Sequence, residues 1–187
     1  MNDDAHSDRL ERLAGLLQKR NAVASEITTI IGRPEQIGHL GEFIASEIFG
    51  IRLADSAVHR GSDGVFAAGP LAGRTVNVKW YAKEESSLDI REDALPDHFL
   101  VLTGPRSKLV NSRGESRLWC IEFVFLFDAQ VLLPLLKQRQ VKLGVATSIT
   151  RDIWNSAQIY PEQNSKQLIL TPEQRMRLKL FSAEAVT

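Results

Sequence analysis

Apolar residues in the first fifty positions recur at helical spacing. Leu10, Leu13, Leu16 and Leu17 share one face, because positions three and four apart stack on one side of a helix. This predicts a helix with Ser7 as its N-cap and Glu11 in the first turn. Val23, Ile27, Ile30 and Ile31 mark a second helix from about Ala22, closed by Gly32-Arg33-Pro34. Glycine suits a C-cap, and proline cannot continue the ladder. A third helix starts at Gln36 or Ile37, turns Leu40, Phe43, Ile44, Ile48 and Phe49 inward, and ends at Gly50.

The period then falls to two. Gly64 to Ala67 reads as a short strand, and Gly69-Pro70-Leu71-Ala72-Gly73 as a turn. Arg74 to Ala82 alternates, with Val76, Val78 and Trp80 on one face and Thr75, Asn77, Lys79 and Tyr81 on the other. His98 to Thr103 is a third strand. Arg117 to Leu126 is a fourth, apolar enough for burial on both faces. Asp128 caps a helix to about Leu136, and Ser148 caps a short one over Arg151 to Ala157. Gln167 to Leu170 reads as an edge strand, and Thr171-Pro172-Glu173-Gln174 as a capped helix start. The order predicts an α/β fold, a central mixed β-sheet flanked by helices, over residues 36–187. An N-terminal helical segment, residues 1–35, precedes it. Its leucine face either packs on the domain or pairs with a second copy in a homodimer.

Composition narrows the class. With 43% hydrophobic and 25% charged residues, the chain of 187 has enough apolar content for a core and is not mostly disordered. The single cysteine, Cys120, excludes an internal disulfide framework and a multi-cysteine zinc site. Its place in the apolar fourth strand reads as a structural thiol. The longest apolar stretch, Leu118 to Leu136, is broken by Glu122, Asp128 and Pro134, short of the ~18 residues a membrane helix needs. The acidic start, Met1-Asn2-Asp3-Asp4, is unlike a signal peptide. The expectation is a soluble cytoplasmic protein with no membrane partner. Basic and acidic residues balance at 23 each, but residues 1–100 carry −5 and residues 101–187 carry +5. The basic excess is either a polyanion-binding face or charge scattered over solvated loops.

The residues that suggest chemistry lie in the middle. His59-Arg60-Gly61-Ser62-Asp63-Gly64 brings an acid to the start of one strand, and Arg74-Thr75-Val76-Asn77-Val78-Lys79-Trp80 places a lysine on the next. Asn77 and Lys79 share a sheet face, and in a hairpin Asp63 converges with Lys79 at the open end. A carboxylate that holds Mg²⁺ beside a lysine suits phosphodiester cleavage. Plainer readings stand beside this one. Asp63 is a common turn residue that bonds its own backbone, Lys79 a solvated strand residue, and Glu42 a solvent-facing helix residue. Trp80 and Tyr81 either stack on bases or pack in the core.

Here the chain resembles the PD-(D/E)XK nuclease superfamily, the restriction-endonuclease-like fold. Its pattern is a helix glutamate, an aspartate at a strand end, and (Asp/Glu)-x-Lys on the adjacent strand. Gly41-Glu42-Phe43-Ile44-Ala45 looks like the helix, Asp63 like the aspartate, and Asn77-Val78-Lys79 like the tripeptide. The resemblance implies a Mg²⁺-dependent DNA endonuclease, with Mn²⁺ as a substitute cation. It implies Asp63, Glu42 and Asn77 as metal ligands, and Lys79 as the cation that orients phosphate or water. Asn77 stands where the family has an acid, so the site carries one negative charge fewer. Arg60, Arg106, Lys108, Arg113 and Arg117 are the candidate phosphate contacts. Over its whole length the chain also resembles a bacterial domain family. The alternative is a catalytically inactive nuclease-like fold that binds DNA or protein. A helix-turn-helix over Ala24 to Phe49 is the weaker form of that alternative, because its second helix is poor in base-reading residues, with Gln36, His39 and Glu42 as the polar set and only Arg33 nearby basic.

Overall fold

The computed structural model describes residues 2–54, 61–84, 86–106 and 118–186. The chain divides into two compact units, Met1–Leu40 and Gly41–Thr187. The first unit is dominated by one unbroken helix, α1 (Asn2–Ile31). This corrects the expectation of two helices with Ser7 as a cap. No proline or glycine interrupts Gln18-Lys19-Arg20-Asn21, and the single interior Gly15 costs only about 1 kcal/mol. Gly32 ends the helix as expected, at φ 67° and with its N–H on Thr28 O at 2.9 Å. Helix α2 (Ile37–Phe49) begins in this unit and closes at Gly50, φ 64°.

In the second unit, β1 (Ile51–Leu53), β2 (Gly64–Phe66), β3 (Thr75–Tyr81), β5 (His98–Thr103), β6 (Phe123–Asp128) and β8 (Gln158–Tyr160) form one six-stranded sheet in the order β1-β2-β3-β5-β6-β8. Only β3 and β5 run parallel; the other neighbours are antiparallel. Two short strands, β4 (Ser87–Leu88) and β7 (Thr147–Ser148), pair apart from it. Helices α3 (Ala129–Gln138), α4 (Arg151–Ala157) and α5 (Pro172–Lys179) complete the unit. The expected mixed α/β sheet is present.

Alternation explains how the sheet is covered. On β3, Val76, Val78 and Trp80 are buried while Thr75, Asn77, Lys79 and Tyr81 are half-buried. The Trp80 face lies under α2. A side chain added at Gly41 would come 3.0 Å from Trp80 Cβ, so glycine is what lets the helix approach. Trp80 is therefore a core residue, its Nε1 donating to Cys120 O at 3.3 Å. Helix α5 is tied to α2 by Gln174 Nε2 on Ile48 O at 3.0 Å. The opposite face buries Phe99, Val101, Phe125 and Phe127 against Leu132, Leu136, Ile149 and Trp154. The Trp154 ring stands edge-on to Phe125 and Phe127, at 4.7 and 4.9 Å between centroids.

Three boundaries differ from expectation. The fourth strand of the sequence reading begins at Phe123 and runs to Asp128. Residues 118–122 are irregular there, because the Ile121 N–H is taken by Phe181 O at 2.8 Å and not by a strand. Asp128 ends that strand and caps α3, its Oδ1 accepting from Gln130 N at 2.8 Å. The cap of α4 is Thr150, since Ser148 is taken up in β7 opposite Ser87. Gln167 to Leu170 forms no strand; the edge is Gln158–Tyr160, directly after α4. The capping box at Thr171 and Gln174 is as expected, with both reciprocal bonds made.

Candidate functional site

The β2–β3 register decides what the middle of the chain brings together. Gly64 pairs with Val76 and Val65 with Thr75. Asp63 stands one residue before Gly64 and straddles Asn77. Its N–H donates to Val76 O at 2.8 Å, and its carboxylate Oδ2 accepts from Val78 N at 2.7 Å. Val78 lies beyond the end of β2, so this amide has no strand partner on that side. The carboxylate replaces one, and that fixes Asp63 against β3. The turn before it is held just as closely. Gly61 sits at φ 89°, and an added Cβ would fall 1.9 Å from Ala94 O. Only glycine meets both demands.

Next to this clamp are two polar groups facing a mostly apolar surface. Asn77 and Lys79 project from the same face of β3, in register with Phe99 and Val101 of β5. Asn77 Oδ1 is buried with no hydrogen-bond partner. Lys79 is half-buried, and among the described residues it has no hydrogen bond or ion pair. The Asn77 arrangement is uncommon, because buried polar oxygens are normally paired; the Lys79 ammonium is not among the buried atoms left without a partner. The segment after β3 folds over this side. Asp89 N–H donates to Tyr81 Oη at 3.3 Å, and Asp89 Oδ1 accepts from Ala146 N at 2.7 Å.

Glu42 is half-buried on α2, the helix on the Trp80 face, whereas Asn77 and Lys79 project from the other face. The β2–β3 hairpin thus gathers Asp63, Asn77 and Lys79; Glu42 rises from a separate element. Arg60, Lys108, Arg113 and Arg117 lie outside the described residues. Arg106 is engaged internally: its Nε is 2.7 Å from Glu84 Oε2, and its guanidinium lies 4.8 Å over the Phe123 ring. Cys120 is buried, and burial pushes its thiol above the ordinary range, as a structural cysteine requires.

A second polar cluster escaped the sequence reading. Asp97, just before β5, accepts from Thr75 N and Thr75 Oγ1, both at 2.8 Å, and from Arg74 Nη1 at 3.2 Å. The Thr75 bonds first, then Arg74, hold its carboxyl below the usual range against the opposing effect of burial. His98 beside it is 5% exposed, and its Nδ1 is buried without a partner. Burial lowers its pKa, opposed by Asp128 and Asp97 and aided by Arg74. The signal present in the sequence was Asp97-His98 opening an apolar strand. Spacing alone does not reveal that Arg74 and Asp128 face it.

No protein-family model matches the chain, and no curated protein matches it significantly.

Proposed function

We propose that the protein is a divalent-metal-dependent DNA endonuclease built on a restriction-endonuclease-like domain. The carrying observation is the half-buried, unpaired Lys79 two residues from the orphaned Asn77 Oδ1, with the Asp63 carboxylate bonded to the amide between them. The donor set suits a hard cation, because every candidate ligand is an oxygen. In this reading Asp63 and Asn77 would hold Mg²⁺, or Mn²⁺, and Glu42, on the helix that covers the opposite face of β3, does not join them. The chemistry supplied by the bound cation is polarisation of the phosphate and activation of a water. Lys79 places its ammonium where charge develops on the phosphoryl oxygens. Asp63 acts twice, since its bond to Val78 N also sets the position of the strand that carries Asn77 and Lys79. Lys108, Arg113 and Arg117 remain the candidate phosphate contacts, which would not read sequence, whereas Arg106 is engaged by Glu84.

One observation favours a second reading, an inactive nuclease-like module that binds DNA or protein. Asp63 Oδ2 is already engaged by a backbone amide, and Asn77 carries no charge. Calorimetric Mn²⁺ titration beside cleavage assays on plasmid and single-stranded DNA separates the two. The endonuclease reading expects binding and cleavage in the wild type, loss of both in Asp63→Ala, and loss of cleavage alone in Lys79→Ala. A wild type that neither binds Mn²⁺ nor cleaves DNA leaves the binding module, and cleavage that survives Asp63→Ala removes this site assignment.

A further inference from the structure

At the other end of β3 from Lys79 an open cleft of about 200 Å³ is lined by Arg74, Asp97, His98, Asp128, Gln130 and Gln167, with Pro70 and Leu71 as an apolar wall. The five positions from Arg74 to Lys79 span roughly 17 Å of strand, so this cleft is separate from the candidate metal site. Its chemistry can be read group by group. Both Asp97 oxygens are engaged, by Thr75 and Arg74. Asp128 Oδ1 is engaged by the first amides of α3, and its other oxygen has no hydrogen bond among the described residues. The side-chain amides of Gln130 and Gln167 are exposed and likewise uncommitted among the described residues. His98 is buried at the inner side, its ring edge-on to Phe66 at 6.1 Å.

Charge then excludes two ligand classes. One guanidinium faces two carboxylates, so a phosphate or carboxylate meets net negative charge. A hard cation finds one uncommitted carboxylate oxygen, too few for a cage. What the cleft offers is an interleaved set: acceptors on Asp128 and both glutamines, donors on both glutamines and Arg74, and an apolar wall. An uncharged planar ring whose edge alternates donors and acceptors matches that set, as Gln, Arg and Asp side chains match base edges.

We infer that this cleft is a nucleobase site, in which Gln130, Gln167 and Asp128 read the edge of a purine or pyrimidine whose face lies on Leu71 and Pro70. The choice of a nucleobase over another heterocyclic amide rests on the nucleic-acid reading above. The site itself needs neither metal nor cleavage. An extruded or unpaired base is the form that enters such a pocket.

The test is nuclear magnetic resonance of the full chain, following the His98 ring and the Gln130 and Gln167 side-chain amides. Adenosine, guanosine, cytidine and thymidine are titrated separately, with ribose and inorganic phosphate as controls. At least one nucleoside is expected to shift all three groups saturably while both controls leave them unmoved. Gln130→Ala combined with Gln167→Ala, both at exposed positions, is expected to keep the dispersed spectrum and weaken binding by at least about tenfold. No shift with any nucleoside, equal shifts with ribose or phosphate, or undiminished binding by the double variant overturns the site. Mn²⁺-dependent cleavage in a protein that binds no nucleoside would sink this inference and leave the endonuclease reading standing. Nucleoside binding without cleavage would do the reverse.

Discussion

Asp63 has two roles that one pair of substitutions separates. Its carboxylate accepts the Val78 amide at 2.7 Å in a part-buried setting. Hydrogen bonds to a charged group contribute about 1.5–3 kcal/mol. Asp63→Ala removes the acceptor and leaves the Val78 N–H at the open end of the hairpin without its partner. For a chain of this size each kcal/mol moves Tm by about 2–4 °C, so a fall of about 3–12 °C is expected. Asp63→Asn keeps a carbonyl oxygen on the same stem and exchanges a charged acceptor for a neutral one. Its loss should be about half as large. Metal binding does not follow this gradation. A hard cation depends on ligand charge, so both variants should lose Mn²⁺ binding by calorimetry. The expected result is a graded Tm, wild type above Asn above Ala, beside an all-or-none metal response. An Asp63→Ala protein melting within about 1 °C of wild type would refute the clamp. A metal response graded in parallel with Tm would show that metal is lost through the fold and not through the ligand.

Two further predictions concern buried rings. The folded state lowers the pKa of His98 from 6.5, burial being the largest cause. The unfolded chain therefore binds a proton first, and stability falls as pH drops through 6.5, the loss ending below the folded value. Thermal melts from about pH 7 to pH 5 should show this slope flattened in His98→Phe, which leaves Asp128, Asp97 and Arg74 in place; equal slopes would assign the pH dependence to other groups. Trp154 is 1% exposed between Phe125 and Phe127, so Trp154→Ala should cost about 3–5 kcal/mol in urea unfolding, and a loss below about 1 kcal/mol would mean that the face opposite α2 is not a packed core.

The elements that were legible in the sequence are those with a local cause. Gly32 and Gly50 end helices because a left-handed residue is needed there. Thr171 with Gln174 starts one because both capping bonds are local. The β3 alternation survived because one face is buried and the other is not. What was not legible depended on distant partners. Nothing in residues 117–122 says that Phe181 O will claim the Ile121 amide, so the strand was expected to start too early. β8 was missed because a three-residue edge strand following α4 has too few positions to show a period. For the site, Asp63, Asn77 and Lys79 were legible as a group because a hairpin relates them by register. The Arg74–Asp97–His98–Asp128 cluster was not, because it joins the starts of two parallel strands with the end of a third.

The same contrast bears on the basic excess of the second half. Arg106 is bonded to Glu84, whose side chain is only 11% exposed, and lies over Phe123. Arg139 donates to Thr150 Oγ1. Arg175 donates to Pro161 O and Gln163 Oε1, and Arg177 to Glu47 O and Glu173. These cations tie elements to one another, and a phosphate would have to displace bonds already made. A guanidinium fork suits such ties, with several donors held in one plane. Lys79 is different in kind. It sits on the sheet, half-buried, with no such tie among the described residues. Its ammonium is not among the buried polar atoms left without a partner, so no bond already made has to be displaced for an anion to reach it. The carboxylate that accepts the adjacent Val78 amide belongs to Asp63, so the strand that carries Lys79 is held in place by the residue proposed as the metal ligand.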